Sequence, residues 1–220
     1  MTASIPGKAA QGATAPRAAA VAGILFALLF GASIVLMRLS VPADLADPSA
    51  WTPATLSRAA LGMRVIPFAG ILFLWFVGVI RDQLGAAEDK FFATVTLGSA
   101  LVFVALTFAA FGVAGGLFES YHVGGLEAWS PAVYLFGRSV VDQIFNTYAV
   151  KMASVFMFSL GTLWRSTGVM PRSFSLLTYA LAVIMLVVFS RSLWILLVFP
   201  AWVLLVSVHI LITNLRPKGA

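Results

Sequence analysis

AAAVAGILFALLFGASIVLM, residues Ala18–Met37, is a run of twenty residues without a charge. Its length decides the fold. At about 1.5 Å per residue, a helix of twenty residues is about 30 Å long, the thickness of a bilayer's hydrocarbon core. Five more apolar runs follow: Val65–Ile80, Phe92–Leu117, Ile144–Trp164, Phe174–Phe189 and Leu193–Leu215. Together they leave almost no material for a soluble domain.

Composition agrees. The 220 residues are 61% hydrophobic and 10% charged, whereas a soluble domain carries about 25% charged residues. The runs are continuously apolar, so they predict helices; strands of a transmembrane barrel alternate polar and apolar residues. The sequence therefore predicts an all-α polytopic transmembrane bundle of six spans. The absence of cysteine excludes disulfides, thiolate metal sites and cysteine nucleophiles. The net charge of +6 comes from basic residues placed singly at the ends of the runs, not clustered in the patch that nucleic-acid binding requires.

Lys8 and Arg17 precede the first run, as in a secretory signal. That run is longer than a signal's apolar core of about 7–15 residues, so it reads as a retained span. No lipidation signal accompanies it: the second residue is Thr2, and there is no cysteine to modify. Residues 1–16 read as a disordered cytoplasmic tail, 17–215 as the six-helix domain and 216–220 as a second cytoplasmic tail. With the N-terminus inside, eight basic residues (Lys8, Arg17, Arg81, Lys90, Arg165, Arg172, Arg216, Lys218) face the cytoplasm. Five (Arg38, Arg58, Arg64, Arg138, Arg191) face outward. The excess inside favours cytoplasmic termini.

Connectors carry further signals. Thr52–Pro53 reads as an N-cap followed by a first helical residue, and Pro67 is placed to kink the helix that follows. Trp51 suits a headgroup anchor, and Trp164 is expected to mark the inner interface. Arg81–Phe91 mixes both charge signs and reads as a solvated turn. Phe118–Gly137 reads as an outer connector, and Ser190–Ser192 as the turn of a tight helical hairpin.

Lys151 is the sharpest candidate for chemistry, because a charge near the centre of a span costs about 2.5–3.5 kcal/mol on insertion scales. Counting back from Trp164 places it about 9 Å below the outer end of its span. Two main readings stand open. Its stem can snorkel to the headgroups, or it lies in a polar cavity, paired with a carboxylate or an anionic ligand. A partner-subunit contact is the third. The same helix carries Arg138, Asp142 and Asn146 on one stripe and Gln143, Thr147, Lys151 and Ser154 on another. Polar on two sides, it is expected to be the best-enclosed helix of the bundle. Arg138 and Asp142 also suit a plain i, i+4 ion pair.

The outer connector contributes Glu119, His122 and Glu127. Glu119-x-x-His122 has the spacing of half a carboxylate di-metal motif, but the second half is absent. No metal and no cofactor are implied. His209, predicted near the opposite face, suits a bundle hydrogen bond. Gly23, Ala27 and Gly31, and likewise Gly112 and Gly116, form small-xxx-small patterns that let helices approach closely in lipid. The chain has no nucleotide-binding loop, nucleophile elbow, HExxH or haem-attachment motif.

Three stretches, Phe73–Val95 (FLWFVGVIRDQLGAAEDKFFATV), Asn146–Phe158 (NTYAVKMASVFMF) with Thr162–Arg172 (TLWRSTGVMPR), and Tyr179–Val183, resemble a family of uncharacterised bacterial multi-pass membrane proteins of about this length. The resemblance implies a stand-alone protein of the bacterial inner membrane and assigns no activity or functional residue. The functional reading is an accessory or assembly subunit of a membrane complex, with the bilayer and a homo-oligomer or complex partner as its contacts. A small carrier or channel with a polar pathway along the fourth span is the alternative, and a membrane-embedded lipid-modifying enzyme a second. The reading leans away from an enzyme.

Overall fold

The computed structural model describes residues 8–40, 52–84, 90–128, 130–187 and 193–215, all but a few in helices and none in a strand. The elements are α1 (Lys8–Ser40), α2 (Pro53–Leu84), α3 (Lys90–Ala128), α4 (Pro131–Asp142), a π-helical segment (Gln143–Ala149), α5 (Val150–Thr167), α6 (Arg172–Val187), a short 3₁₀ turn (Leu193–Leu197) and α7 (Val198–Leu215). Trp51 and the connector Ser190–Ser192 lie outside the described residues.

Local chemistry sets the boundaries. The Thr52 hydroxyl accepts the Thr55 amide at 3.2 Å, and Pro53 opens α2, where its missing N–H is no loss. Ser130 and Pro131 repeat the device: the Ser130 hydroxyl accepts from Val133 and Pro131 is the first helical residue. Gly168 ends α5 at φ 68°, its amide bonded to the Trp164 carbonyl at 3.0 Å. That is the left-handed closing position glycine fills without a Cβ penalty. Helix α2 continues through Pro67.

Neighbouring helices run antiparallel, as residue pairs show: Ser33 with Gly62, Phe73 with Phe103, Phe111 with Phe145, Tyr179 with Thr162 and Trp202 with Thr178. Four helices are long and apolar enough to cross a membrane: Arg17–Ser40, Pro53–Arg81, Lys90–Tyr121 and Ile195–Thr213. Arg172–Val187 is a further apolar helix as far as it is described. The run expected over Ile144–Trp164 is divided between the π segment and the more polar α5, which with α4 make up the fourth pass of the chain.

An aromatic cluster holds the middle. Phe73 of α2 lies 4.9 Å from Phe26, 5.4 Å from Phe103, 5.3 Å from Phe156 and 5.5 Å from Phe199. Five helices therefore meet at one ring. Lipid removes most of the hydrophobic drive for helix association, leaving packing to hold helices together. Edge-to-face rings add about 0.5–1.5 kcal/mol per pair beyond burial. Helix α5 is the most enclosed, but the polar stripes from which this was expected lie mostly on α4 and the π segment, whose side chains are largely exposed or half-buried. Ten of its eighteen residues are buried, against 33–44% of the apolar windows of the four long helices.

Two expectations are corrected. Phe118–Gly137 is not an open connector. Helix α3 runs on to Ala128 with a break at Gly125 (φ 61°, ψ −153°), a conformation open essentially to glycine, and α4 starts three residues later. Leu56, Ala59, Phe118 and Tyr134 bury one another there as a small second core. Trp164 is 2% exposed and packs on Trp202 at 5.9 Å, so it is a core residue and no interface anchor.

The two glycine patterns differ. A Cβ on Gly23 would meet the Ser207 hydroxyl and stand 2.7 Å from the buried Phe76 ring, whereas one on Gly112 would meet nothing within 4 Å. Gly23→Ala should therefore destabilise the protein by about 1–3 kcal/mol through overpacking. Gly112→Ala should be neutral or stabilising by up to about 1 kcal/mol. Thermal unfolding in detergent measures both, and equal melting temperatures for the two variants would refute the assignment.

Candidate functional site

The candidate site is the polar part of the fourth pass. It begins with α4, whose N-cap and proline fix its start and whose Tyr134 and Gly137 face α3. Leu117 Cδ1 lies 2.8 Å from where a Gly137 Cβ would stand, so only glycine lets α3 and α4 approach this closely. Burial pushes the Tyr134 phenol up, against the lowering effect of the neighbouring Arg138 guanidinium.

From Arg138 the stripe read in the sequence is a ladder of contacts. Arg138 Nε lies 4.0 Å from Asp142 Oδ2, and Asn146 Nδ2 donates to Asp142 Oδ1 at 3.4 Å. Both distances are long. The Arg138 and Asp142 side chains are 43% and 36% exposed, which puts the ion pair in the class that contributes about 0–1 kcal/mol. The ladder ends at Asn146, whose Oδ1 is buried with no hydrogen-bond partner among the described residues.

The second stripe separates into unrelated roles. Gln143 is exposed and Thr147 half-buried. The Ser154 hydroxyl donates to the Val150 carbonyl of its own helix at 2.8 Å. Lys151 Nζ donates to the Met185 carbonyl of α6 at 3.0 Å.

That last bond links two helices. Helix α6 is described over Arg172–Val187, and the Lys151 ammonium donates to a backbone carbonyl in its last described turn. The sequence reading left Lys151 between headgroups, a polar cavity and a partner subunit; here its ammonium meets a neighbouring backbone, and a sequence does not say which side chain meets which carbonyl.

Beside Lys151 lies a cavity of about 10 Å³, lined by Phe30, Phe103, Phe145, Ala149, Val150, Ala153, Met185, Leu196 and Phe199. An ordered water needs about 10–15 Å³ and two to four polar partners. This lining is wholly apolar, so the cavity is dry and no polar path runs through it.

Of the outer candidates, Glu119 is exposed on α3; the side chains of His122 and Glu127 lie outside what the structure describes. Among the described residues no three His, Asp or Glu side chains gather as a metal site. His209 packs its ring on Phe174 at 4.3 Å.

Compared with known proteins, the chain matches no family model, no curated protein and no solved structure.

Removing the Lys151 ammonium should break its bond to the Met185 carbonyl of α6. Hydrogen bonds to charged groups contribute about 1.5–3 kcal/mol, and partial exposure of Lys151 lowers this. Lys151→Met should cost about 1–2 kcal/mol and lower the melting temperature by a few degrees, while Lys151→Arg should retain most of the stability. An unchanged or raised melting temperature for Lys151→Met would remove the stabilising role of this bond.

Proposed function

We propose that this chain is a multi-pass protein of the bacterial inner membrane, crossing the bilayer six times with both termini in the cytoplasm, and that it acts as an accessory or assembly subunit of a membrane complex. Four helices of spanning length and the excess of basic residues at the end of the bundle holding Arg17, Arg81, Lys90, Arg165 and Arg172 support the placement. The resemblance of Phe73–Val95, Asn146–Phe158 with Thr162–Arg172, and Tyr179–Val183 to bacterial multi-pass proteins supports the compartment.

The aromatic interior carries the choice of role. A carrier needs a polar pathway or a broken helix at a midplane site. Among the described residues the middle of the bundle is filled by aromatic rings, and Lys151 bonds a backbone carbonyl of α6. Such a bundle has its exposed apolar surfaces and the layer around Tyr134 to offer, and these serve assembly. One observation favours the carrier alternative: among the described residues Asn146 Oδ1 and the Thr96 and Thr107 hydroxyls are buried without partners, as groups on a hydrated path would be in a closed state.

Gentle extraction followed by native mass spectrometry tests the proposal. A second polypeptide at fixed stoichiometry is expected, and its steady-state level should fall several-fold in cells lacking this chain. The chain recovered alone or only as copies of itself, with other membrane proteins at normal levels, would overturn the accessory role. Solute flux into proteoliposomes containing the purified chain alone would replace it with the carrier reading.

A further inference from the structure

Residues 131–167 form one continuous helical rod, because the backbone stays in the right-handed helical region at both junctions of the π segment: Asp142 at φ −59°, ψ −42° and Val150 at φ −60°, ψ −38°. Within the segment the helix is wider. The Val150 amide bonds to the Phe145 carbonyl, five residues back, so the segment holds an extra residue relative to an α-helix.

The burial pattern shows why. Tyr134 and Gly137 are buried against α3. Continued at 3.6 residues per turn, their stripe would pass through Tyr148 and Met152 and then between Val155 and Phe156. Tyr148 is 53% exposed, and Met152 and Val155 are only half-buried. Phe145 is still buried on that stripe, but beyond it the buried face is centred about one residue later, on Ala149–Val150, Ala153–Ser154, Phe156–Met157, Ser159–Gly161 and Leu163–Trp164. The two halves of the rod are thus locked to different partners in registers that differ by one residue. Helix α4 is set by Phe118 and Leu117 of α3. Helix α5 is set by the Lys151–Met185 bond, the Phe156 rings and the contact of Gly161 with Thr178 and Tyr179.

Two features make the joint free to change. The cavity lies against Phe145, Ala149 and Val150, which leaves room on its inner side. The buried, unpartnered Asn146 Oδ1 raises the energy of the present arrangement, because an unpaired buried acceptor loses its hydration without recompense.

We propose that Gln143–Ala149 is a rotary joint, which by passing its extra residue out of the π segment turns α4 by about 100° relative to α5. Helix α5 stays clamped to α6 while Tyr134 leaves the small outer core. The outer layer then has two states set by one backbone register. This does not depend on the accessory reading, since the joint would serve any function that engages the outer layer.

The full chain contains no cysteine, so spin labels can be placed on the natural background. Phe136→Cys on α4 and Leu101→Cys on α3 are 73% and 48% exposed sites. In lipid nanodiscs, a 100° turn of a side chain at a radius of about 5–6 Å moves the label by about 8 Å. Deleting Thr147 removes the extra residue, so a regular α-helix then holds both halves in their present registers and should give the major distance alone. The unaltered chain should show in addition a minor population displaced by about 8 Å. Asn146→Leu removes the unpartnered acceptor and should deplete that minor population at least several-fold, which keeps the test decisive if the deletion does not fold. A single narrow distance in the unaltered chain, a minor population that survives the deletion, or one untouched by Asn146→Leu would each overturn the proposal.

Discussion

Inside hydrocarbon every polar group must find its partner within the protein, and a charged side chain most of all. Lys151 of α5 meets that limit by donating to the Met185 carbonyl of the neighbouring α6. Toward the other end of the same pair, Tyr179 donates to Thr162 and Gly161 lies against Thr178. Helix α5 is thereby seated on α6 along most of its length, and the rest of the fourth pass is built out from it.

Around that fixed helix the bundle is held by shape. Phe73 and Phe199 touch rings from most of the long helices, and small residues let backbones approach where rings cannot fit. Gly23 receives Phe76 and Ser207, and Gly70 receives Phe108. In lipid such packing has no hydrophobic collapse to rely on. Among the described residues the middle of the bundle is occupied by these rings, and the small apolar cavity near Lys151 has no polar lining to guide a solute. That directs attention to the outside of the molecule: the exposed apolar sides of α2, α3 and α6, and the layer built by α3 and α4 around Tyr134.

The fourth pass joins those two regions, and its irregularity follows from serving both. The core sets the register of α5 and α3 sets that of α4. The π segment absorbs the residue by which they disagree. Of the two polar stripes, Asp142, Gln143, Asn146, Thr147 and Lys151 sit on that segment or directly beside it, where a continuous apolar helix is already interrupted.

The sequence by itself determined the class of the protein and much of its outline. Run length against bilayer thickness needs no tertiary information, and neither do the paired helix starts at Thr52–Pro53 and Ser130–Pro131. The second of these was hidden inside a segment read as a connector because Gly124–Gly125 resembles a loop. The Arg138–Asp142–Asn146 ladder was also legible, since i, i+4 neighbours on one helix meet whatever surrounds them. What Lys151 bonds, which glycines are in contact, that Trp164 is core and not interface, and that the fourth pass carries a π segment were decided only by the tertiary structure. Each depends on groups brought together from distant parts of the chain, and a one-residue register offset exists only once both halves of the helix have neighbours to be in register with.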